Sequence, residues 1–314
     1  MTKVAAPSHP LAARFWTYQV ERFPLAGFAP VITAFTFSSA AYSRMARGES
    51  GFIPWPRFAV GVFTTLVFFF TLRVLDEHKD RQVDRRFRPE LPVPRGLVTL
   101  GELRAIGGVA LAIAVALNAW VAPVMLIPIV VVAIWASLMT REFFVRDWLR
   151  AHPTVYLLTH MAIMPLIDIY TTGLDWLPAG LHLPHRLALF LGVTFLNGMI
   201  VEIGRKVRFP GGEREGVDSY TRAWGLRAAP IVWLCLLATA ATTAVIALRR
   251  VDSGPLELVV IAGAATLGAA TAVWFIARPG PRSQAAMERV SQQWMFATYL
   301  ALGTLPFIVR QVWR

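Results

Sequence analysis

Apolar stretches about 20 residues long recur along this chain, and nothing constrains its folding more. The run FAVGVFTTLVFFFTL at 58–72 is one of them. A hydrocarbon core about 30 Å thick is crossed by about 20 residues of helix, and in lipid every backbone N–H and C=O has to find its partner inside the protein. About nine segments qualify: 25–42, 58–75, 103–121, 124–139, 155–170, 187–203, 228–248, 256–276 and 294–309. They are continuously apolar rather than alternating, so helices are predicted and a transmembrane barrel is not. The third and fourth are parted only by Ala122 and Pro123, short enough for a tight antiparallel hairpin. The expected fold class is an all-α integral membrane protein with nine transmembrane helices, residues 1–314 forming one domain and 1–23 an N-terminal segment ahead of the first span.

A chain that is 56% hydrophobic and 16% charged lies outside the range of soluble domains. Its net charge of +12 is informative through its distribution. Of the 31 Lys and Arg residues, 21 fall in the N-terminal segment and the loops after the even-numbered spans, against 8 on the opposite side. The positive-inside rule then places the N-terminus and those loops in the cytoplasm and Arg314 outside, as in a multi-pass protein of a bacterial inner membrane. Basic residues gathered in membrane loops predict no nucleic-acid partner; the lipid bilayer is the expected surrounding. The N-terminus lacks a small-residue cleavage pattern, so the first span is expected to be retained. Cys235, the single cysteine, sits in an apolar run and predicts neither a disulfide nor thiolate chemistry.

Directly after the second span comes RVLDEHKDRQVDRRFRP. Asp76, Asp80 and Asp84 recur at i, i+4 and i+8, on one helical face, with Glu77 one position round. Carboxylates so spaced repel, and a divalent cation offsets the repulsion; Mg²⁺ prefers one or two carboxylates, several waters and phosphate oxygens. A solvated helix end laced with Lys79 and Arg81 ion pairs is the plainer reading. The sixth span ends NGMIVEIGRKVRFPGGEREGVDSYTRAWG, placing Glu202 at the membrane edge ahead of Arg205, Lys206, Arg208 and Glu213. An acid at that depth is costly and points to function, the plainer alternative being a salt bridge to Arg205 or Lys206. Two acid-and-base clusters on one face suggest metal-bridged claws around a polyanion, and a diphosphate fits.

These residues resemble the UbiA superfamily of intramembrane prenyltransferases. Its first signature is Asn-Asp-x-x-Asp-x-x-x-Asp, and DEHKDRQVD places Asp76 and Glu77 at the first two positions with Asp80 and Asp84 at the others. The family's following Arg-Pro-x-Pro-x-Gly stretch is similar to RPELPVPRGLVT, where Pro92, Pro94 and Gly96 match and Leu91 stands in place of Arg. The second aspartate motif resembles the region from Glu202 to Val217, with Glu202 and Glu213 in the places of its acids. Both motifs are shifted toward glutamate, as in a divergent branch.

The resemblance implies a UbiA-like bundle with a cytoplasmic active-site mouth and Mg²⁺-assisted ionisation of an isoprenyl diphosphate, whose prenyl group passes to an aromatic or lipid acceptor. Asp76, Glu77, Asp80, Asp84, Glu202 and Glu213 would be the catalytic acids, all but Glu77 of them metal ligands. Arg73, Arg141, Arg205, Lys206 and Arg208 would contact the diphosphate. A terpene cyclase on the same fold, which needs no acceptor, is the alternative; a non-enzymatic transporter is disfavoured because both acid sets lie on one face.

Other residues carry weaker expectations. Arg22, at the mouth of the first span, could meet phosphate or neutralise an acid. Asn118 and His160 read as interhelical hydrogen-bond partners, Asn197 as a polar cavity wall, and Asp168 as solvated near the outer end of its helix. His182 and His185 do not have a usual zinc spacing. Phe68, Phe69 and Phe70 could shield an allylic cation, and Phe69 and Phe70 could meet the prenyl tail, though aromatics in spans more often pack or anchor at the interface.

Overall fold

The computed structural model describes residues 9–251 and 253–312, among which every regular element is helical. Met1 and Arg314, on which the expected orientation was framed, lie outside the described residues. The helices are α1 (Leu11–Arg22), α2 (Leu25–Ala46), α3 (Trp55–Lys79), α4 (Arg81–Phe87), α5 (Leu100–Val121), α6 (Leu126–Thr140), α7 (Arg146–Ala151), α8 (Pro153–Met161), α9 (Ile163–Trp176), α10 (Ala188–Lys206), α11 (Tyr220–Trp224), α12 (Ala228–Arg249), α13 (Pro255–Ala277), α14 (Pro281–Tyr299) and α15 (Leu305–Val312). Proline opens several of them: α3 (at Pro56), α8, α13 and α14 have it in the first turn, where its missing N–H has no helical partner to lose. Thr99 and Glu102 close a reciprocal capping box at the start of α5.

Among the described residues eight stretches are long and apolar enough to cross a bilayer, which makes this a multi-pass membrane protein. They match the first eight expected spans, and the turn through Ala122–Pro123 forms the expected hairpin between α5 and α6. The ninth is built as α14, a π-helical turn at Leu300–Thr304, and α15. Arg282, Glu288 and Arg289 in the first half of α14 make that segment less apolar than its neighbours.

At the centre is α10, packed against α8, α9, α12 and α14, while α3 lies along α5 and α2 along α9. Polar side chains inside the spans are spent on joining helices. Asn118 donates to Thr64 and accepts from Tyr170, as expected of it. Asn197 is not a cavity wall: it donates to Thr298 and accepts from the Trp294 indole, tying α10 to α14. Nor is Asp168 solvated. The fifth span runs from Pro153 to Trp176, two turns beyond the expected end near 170, so Asp168 is fully buried and accepts from Ser39, Tyr299 and Thr171. Phe70 packs with Tyr18, Phe23 and Leu103 beneath α1, so it is part of the core.

The expected N-terminal segment contains α1, which is clamped to α5. Arg14 reaches Glu102 with two guanidinium nitrogens, at 2.6 and 3.1 Å, and the Leu97 carbonyl at 3.0 Å. Trp16 and Val20, on its other side, are exposed.

The π-turn lets Gly303 press onto the backbone of Ser38, whose hydroxyl is 2.7 Å from Thr304 Oγ1. A methyl group at Gly303 would meet main-chain atoms that cannot rotate away. Gly303→Ala should therefore lower stability by about 1–3 kcal/mol, read as a lower thermal midpoint of the detergent-solubilised protein. Gly27→Ala, in α2 with nothing within 4 Å, is the control and should leave the midpoint unchanged or raise it slightly.

Candidate active site

The first acidic cluster spans a bend: α3 ends at Lys79, α4 begins at Arg81, and Asp80 joins them, its N–H bonding the Asp76 carbonyl at 2.9 Å and its carbonyl accepting from the Asp84 N–H at 2.8 Å. The four acids nevertheless meet different surroundings. Glu77 is 2% exposed and paired with Arg22 of α1 at 2.7 Å. Asp84 is also buried, with Arg88 at 3.4 Å. Burial raises its pKa, Asp80 and Glu77 add to the rise, and Arg88 opposes it. The Asp76 side chain is 53% exposed, its nearest cation being Arg73 at 3.9 Å. Asp80 has no ion pair or side-chain hydrogen bond among the described residues. A cleft of about 360 Å³ opens beside the cluster, lined by Glu77, Arg81, Asp84, Arg85, Pro94 and Gly96, so the Pro-Gly stretch forms its wall.

The second cluster stands at the end of α10. Glu202, 6% exposed, accepts from Arg205 at 2.6 Å through one oxygen and pairs with Lys206 at 2.7 Å through the other. Tyr156 of α8 lies between the two clusters. Its hydroxyl accepts from Lys79 at 2.8 Å, and the ammonium groups of Lys79 and Lys206 are 4.8 and 5.5 Å from its ring centroid. His160 stacks on the same ring at 3.8 Å, with its Nε2 3.3 Å from Lys79. Lys79 also pairs with buried Glu142 at 3.2 Å, and Arg146 approaches Glu142 at 3.3 Å. Glu142, Phe143 and Phe144 all have positive φ (48°, 51° and 63°), a left-handed run that non-glycine residues adopt only when their surroundings hold them there. Asp76 is within electrostatic reach of Arg205 and Lys79.

Of the residues singled out from sequence, the structure thus gathers Asp76, Asp80, Glu202 and Lys206 around Tyr156, with Arg205 joined through Glu202. Glu77 and Asp84 sit on the cleft side. Glu213 is held within its own loop, accepting from Ser219 at 2.7 Å and Thr221 at 2.8 Å with Arg222 at 3.5 Å. Arg208 donates to the Arg205 and Val207 carbonyls at 2.7 and 2.9 Å; burial lowers its pKa, opposed by Glu288 and Glu213. Arg141 is exposed and rests on Phe144, 5.7 Å from the ring centroid. The two motif loops touch through Phe87 against Gly216 and Arg214 at 3.8 Å from Glu90. Sequence reasoning missed Tyr156, Lys79 as a hub, and Glu142; the only available signal was an acid wedged between Arg141 and Arg146 in a short loop.

Among the described residues no three His, Cys, Asp or Glu side chains converge as a ready metal cage. Mg²⁺ does not need one, since substrate phosphate and water complete its shell. Asp76 and Asp80 fit it: hard oxygen donors four residues apart, of which Asp76 has a long pair to Arg73 at 3.9 Å and Asp80 has no ion pair among the described residues. The other acids already have cationic or hydroxyl partners.

Comparison with known proteins gives the same direction. A model of the UbiA prenyltransferase family matches residues 34–306. No curated protein matches the sequence. Among solved structures, one from a study of digeranylgeranylglyceryl phosphate synthase in membranes is similar with a TM-score of 0.63 and 15% identity, over 95% of this chain and 99% of that one. A UbiA homolog from Archaeoglobus fulgidus, bound to DMAPP and Mg²⁺, gives 0.51 and 11% over 87% and 97% of the two chains. The same comparison for the Archaeoglobus fulgidus homolog bound to GPP and Mg²⁺ gives 0.50 and 12%, with the same coverage. At such identities the likeness is one of fold.

The Arg22–Glu77 pair permits a direct test of what Glu77 does. Arg22→Ala strands a buried carboxylate and should cost about 3–5 kcal/mol. If pairing is the whole role of Glu77, adding Glu77→Gln to Arg22→Ala should recover most of that loss in thermal unfolding of the solubilised protein; no recovery would mean that Glu77 has a second partner.

Proposed function

Because the chain belongs to the UbiA prenyltransferase family, we propose that it takes the prenyl group of an isoprenyl diphosphate and passes it to an aromatic or lipophilic acceptor. The observation that carries this reading is the meeting, at the ends of apolar helices, of two open carboxylates, Asp76 and Asp80, with Lys206 across Tyr156 and Arg205 within electrostatic reach of Asp76. A prenyl diphosphate is divided in the same way, a polyanion on a hydrocarbon chain. The DMAPP and GPP carried with Mg²⁺ by the Archaeoglobus fulgidus homologs support it.

Asp76 and Asp80 would hold Mg²⁺ against the diphosphate. The bound ion supplies Lewis acidity that draws charge from the leaving group. Arg205 and Lys206 donate charge-assisted hydrogen bonds to the phosphate oxygens, and these strengthen as negative charge develops when the C1–O bond breaks. Lys79, fixed by Tyr156 and Glu142, adds positive potential without leaving its place. The apolar helix ends keep water from the cation until the acceptor takes it. We place this face in the cytoplasm of a cell whose inner membrane the protein spans, following the distribution of Lys and Arg.

Incubation of purified protein with Mg²⁺ and C5 to C20 prenyl diphosphates, with and without an aromatic acceptor, should release pyrophosphate only when acceptor is present. Cyclic hydrocarbon without acceptor would identify a cyclase, and neither product would overturn the enzyme reading. Asp80→Ala should lower turnover by about a hundredfold or more, the loss of about 3 kcal/mol of transition-state stabilisation, while helix content stays near that of the unchanged protein.

A further inference from the structure

The two acidic clusters are not equivalent. We infer that the second one is a cationic phosphate seat in which Glu202 positions Arg205 and Lys206, so that the site takes a single divalent metal ion, at Asp76 and Asp80. This rests on the diphosphate reading above and deepens it.

Both oxygens of Glu202 are already committed, one to Arg205 at 2.6 Å and one to Lys206 at 2.7 Å. Spacings of i+3 and i+4 put the two cations on the same turn as the acid, so the pairs form within one stretch of α10. The cluster of one acid and two bases carries a net positive charge. A divalent cation approaching Glu202 would have to displace an ammonium and a guanidinium from a site that is 6% exposed, whereas an anion would find their remaining N–H donors. The end of α10 cannot readily turn to present Glu202 otherwise. Gly204 is closed by Ser291 and lies against the Met287 carbonyl, and the Trp233 indole bonds both the Ile200 carbonyl at 2.9 Å and Ser291 at 3.0 Å. Lys206 is held from below by the Tyr156 ring.

The first cluster has the opposite balance. Among the described residues Asp80 has no ion pair and Asp76 has one, the long contact to Arg73 at 3.9 Å, while Arg205 and Lys79 reach Asp76 only through space. One cluster therefore attracts a metal ion and the other attracts the anion which that ion would bridge. The fixed charges of Arg205 and Lys206 take the role that a second ion would otherwise fill, and because they need no metal, half of the diphosphate grip is independent of divalent cation.

Mn²⁺ titration of the purified, solubilised protein in the presence of inorganic pyrophosphate, with free Mn²⁺ read by electron paramagnetic resonance, counts the bound ions. We expect one per chain, none in Asp80→Ala and still one in Glu202→Gln. Lys206→Met should weaken pyrophosphate binding about tenfold with the metal count unchanged. Two ions per chain, with the second lost in Glu202→Gln, would overturn the inference and leave the diphosphate reading standing. A protein that binds no pyrophosphate at any Mn²⁺ concentration would overturn both. Should a variant fail to give a monodisperse protein, the count on the unchanged chain decides.

Discussion

A charged carboxylate at the end of a lipid-embedded helix is costly unless another charge meets it, and in this protein the identity of that other charge sorts the acids by role. Glu77 is met by Arg22, Glu202 by Arg205 and Lys206, and Glu142 by Lys79 and Arg146. Asp76 and Asp80 are left with little or nothing, and they are the pair that offers its oxygens outward. The arrangement of the basic face follows from this accounting. At this face arginine or lysine meets each of the buried acids Glu77, Glu142 and Glu202, whereas Asp168, buried within the spans, is held by hydroxyl groups alone.

Tyr156 makes the clusters one site. A single aromatic ring accepts a hydrogen bond from Lys79 on its hydroxyl, lies under both Lys79 and Lys206, and stacks on His160. Through it the ends of α3, α8 and α10 are coupled, and Lys79 extends the connection to Glu142 after α6. Rigidity of the charged groups matters for electrostatic stabilisation, since donors that need not reorganise are worth more when charge develops.

Most of the fold was legible because its signal is local: runs of apolar residues declare a span wherever they occur, and proline and capping residues punctuate them. The least local features were misread for the same reason. Distance from the end of an apolar run makes Asp168 read as solvated, but Thr171, Thr172 and Asp175 are compatible with a span when Asp168 is bonded to Ser39 and Tyr299 and Asp175 to Ser43, Arg44 and Arg47, partners on and just beyond other helices. Within the site, the aspartate spacing located the first cluster and paired Asp76 with Asp80, but the bend at Asp80 takes Asp84 off their face to line the cleft with Glu77. The spacing could not disclose that Glu77 would be claimed by Arg22, 55 positions earlier, or that Tyr156 would stand between Lys79 and Lys206, because those pairings are made by packing.

The clamp of α1 onto the bundle bears on where this protein begins as a functional unit. The region that matches its family starts at 34, yet Arg14, which fixes α1 to Glu102, and Arg22, which neutralises Glu77, both precede it. A fragment cut to residues 34–306 would keep every aspartate of the first motif and still place a stranded negative charge beneath them, so the minimal autonomous chain is longer than the stretch that matches the family, and a tag or fusion partner belongs ahead of α1 rather than in its stead.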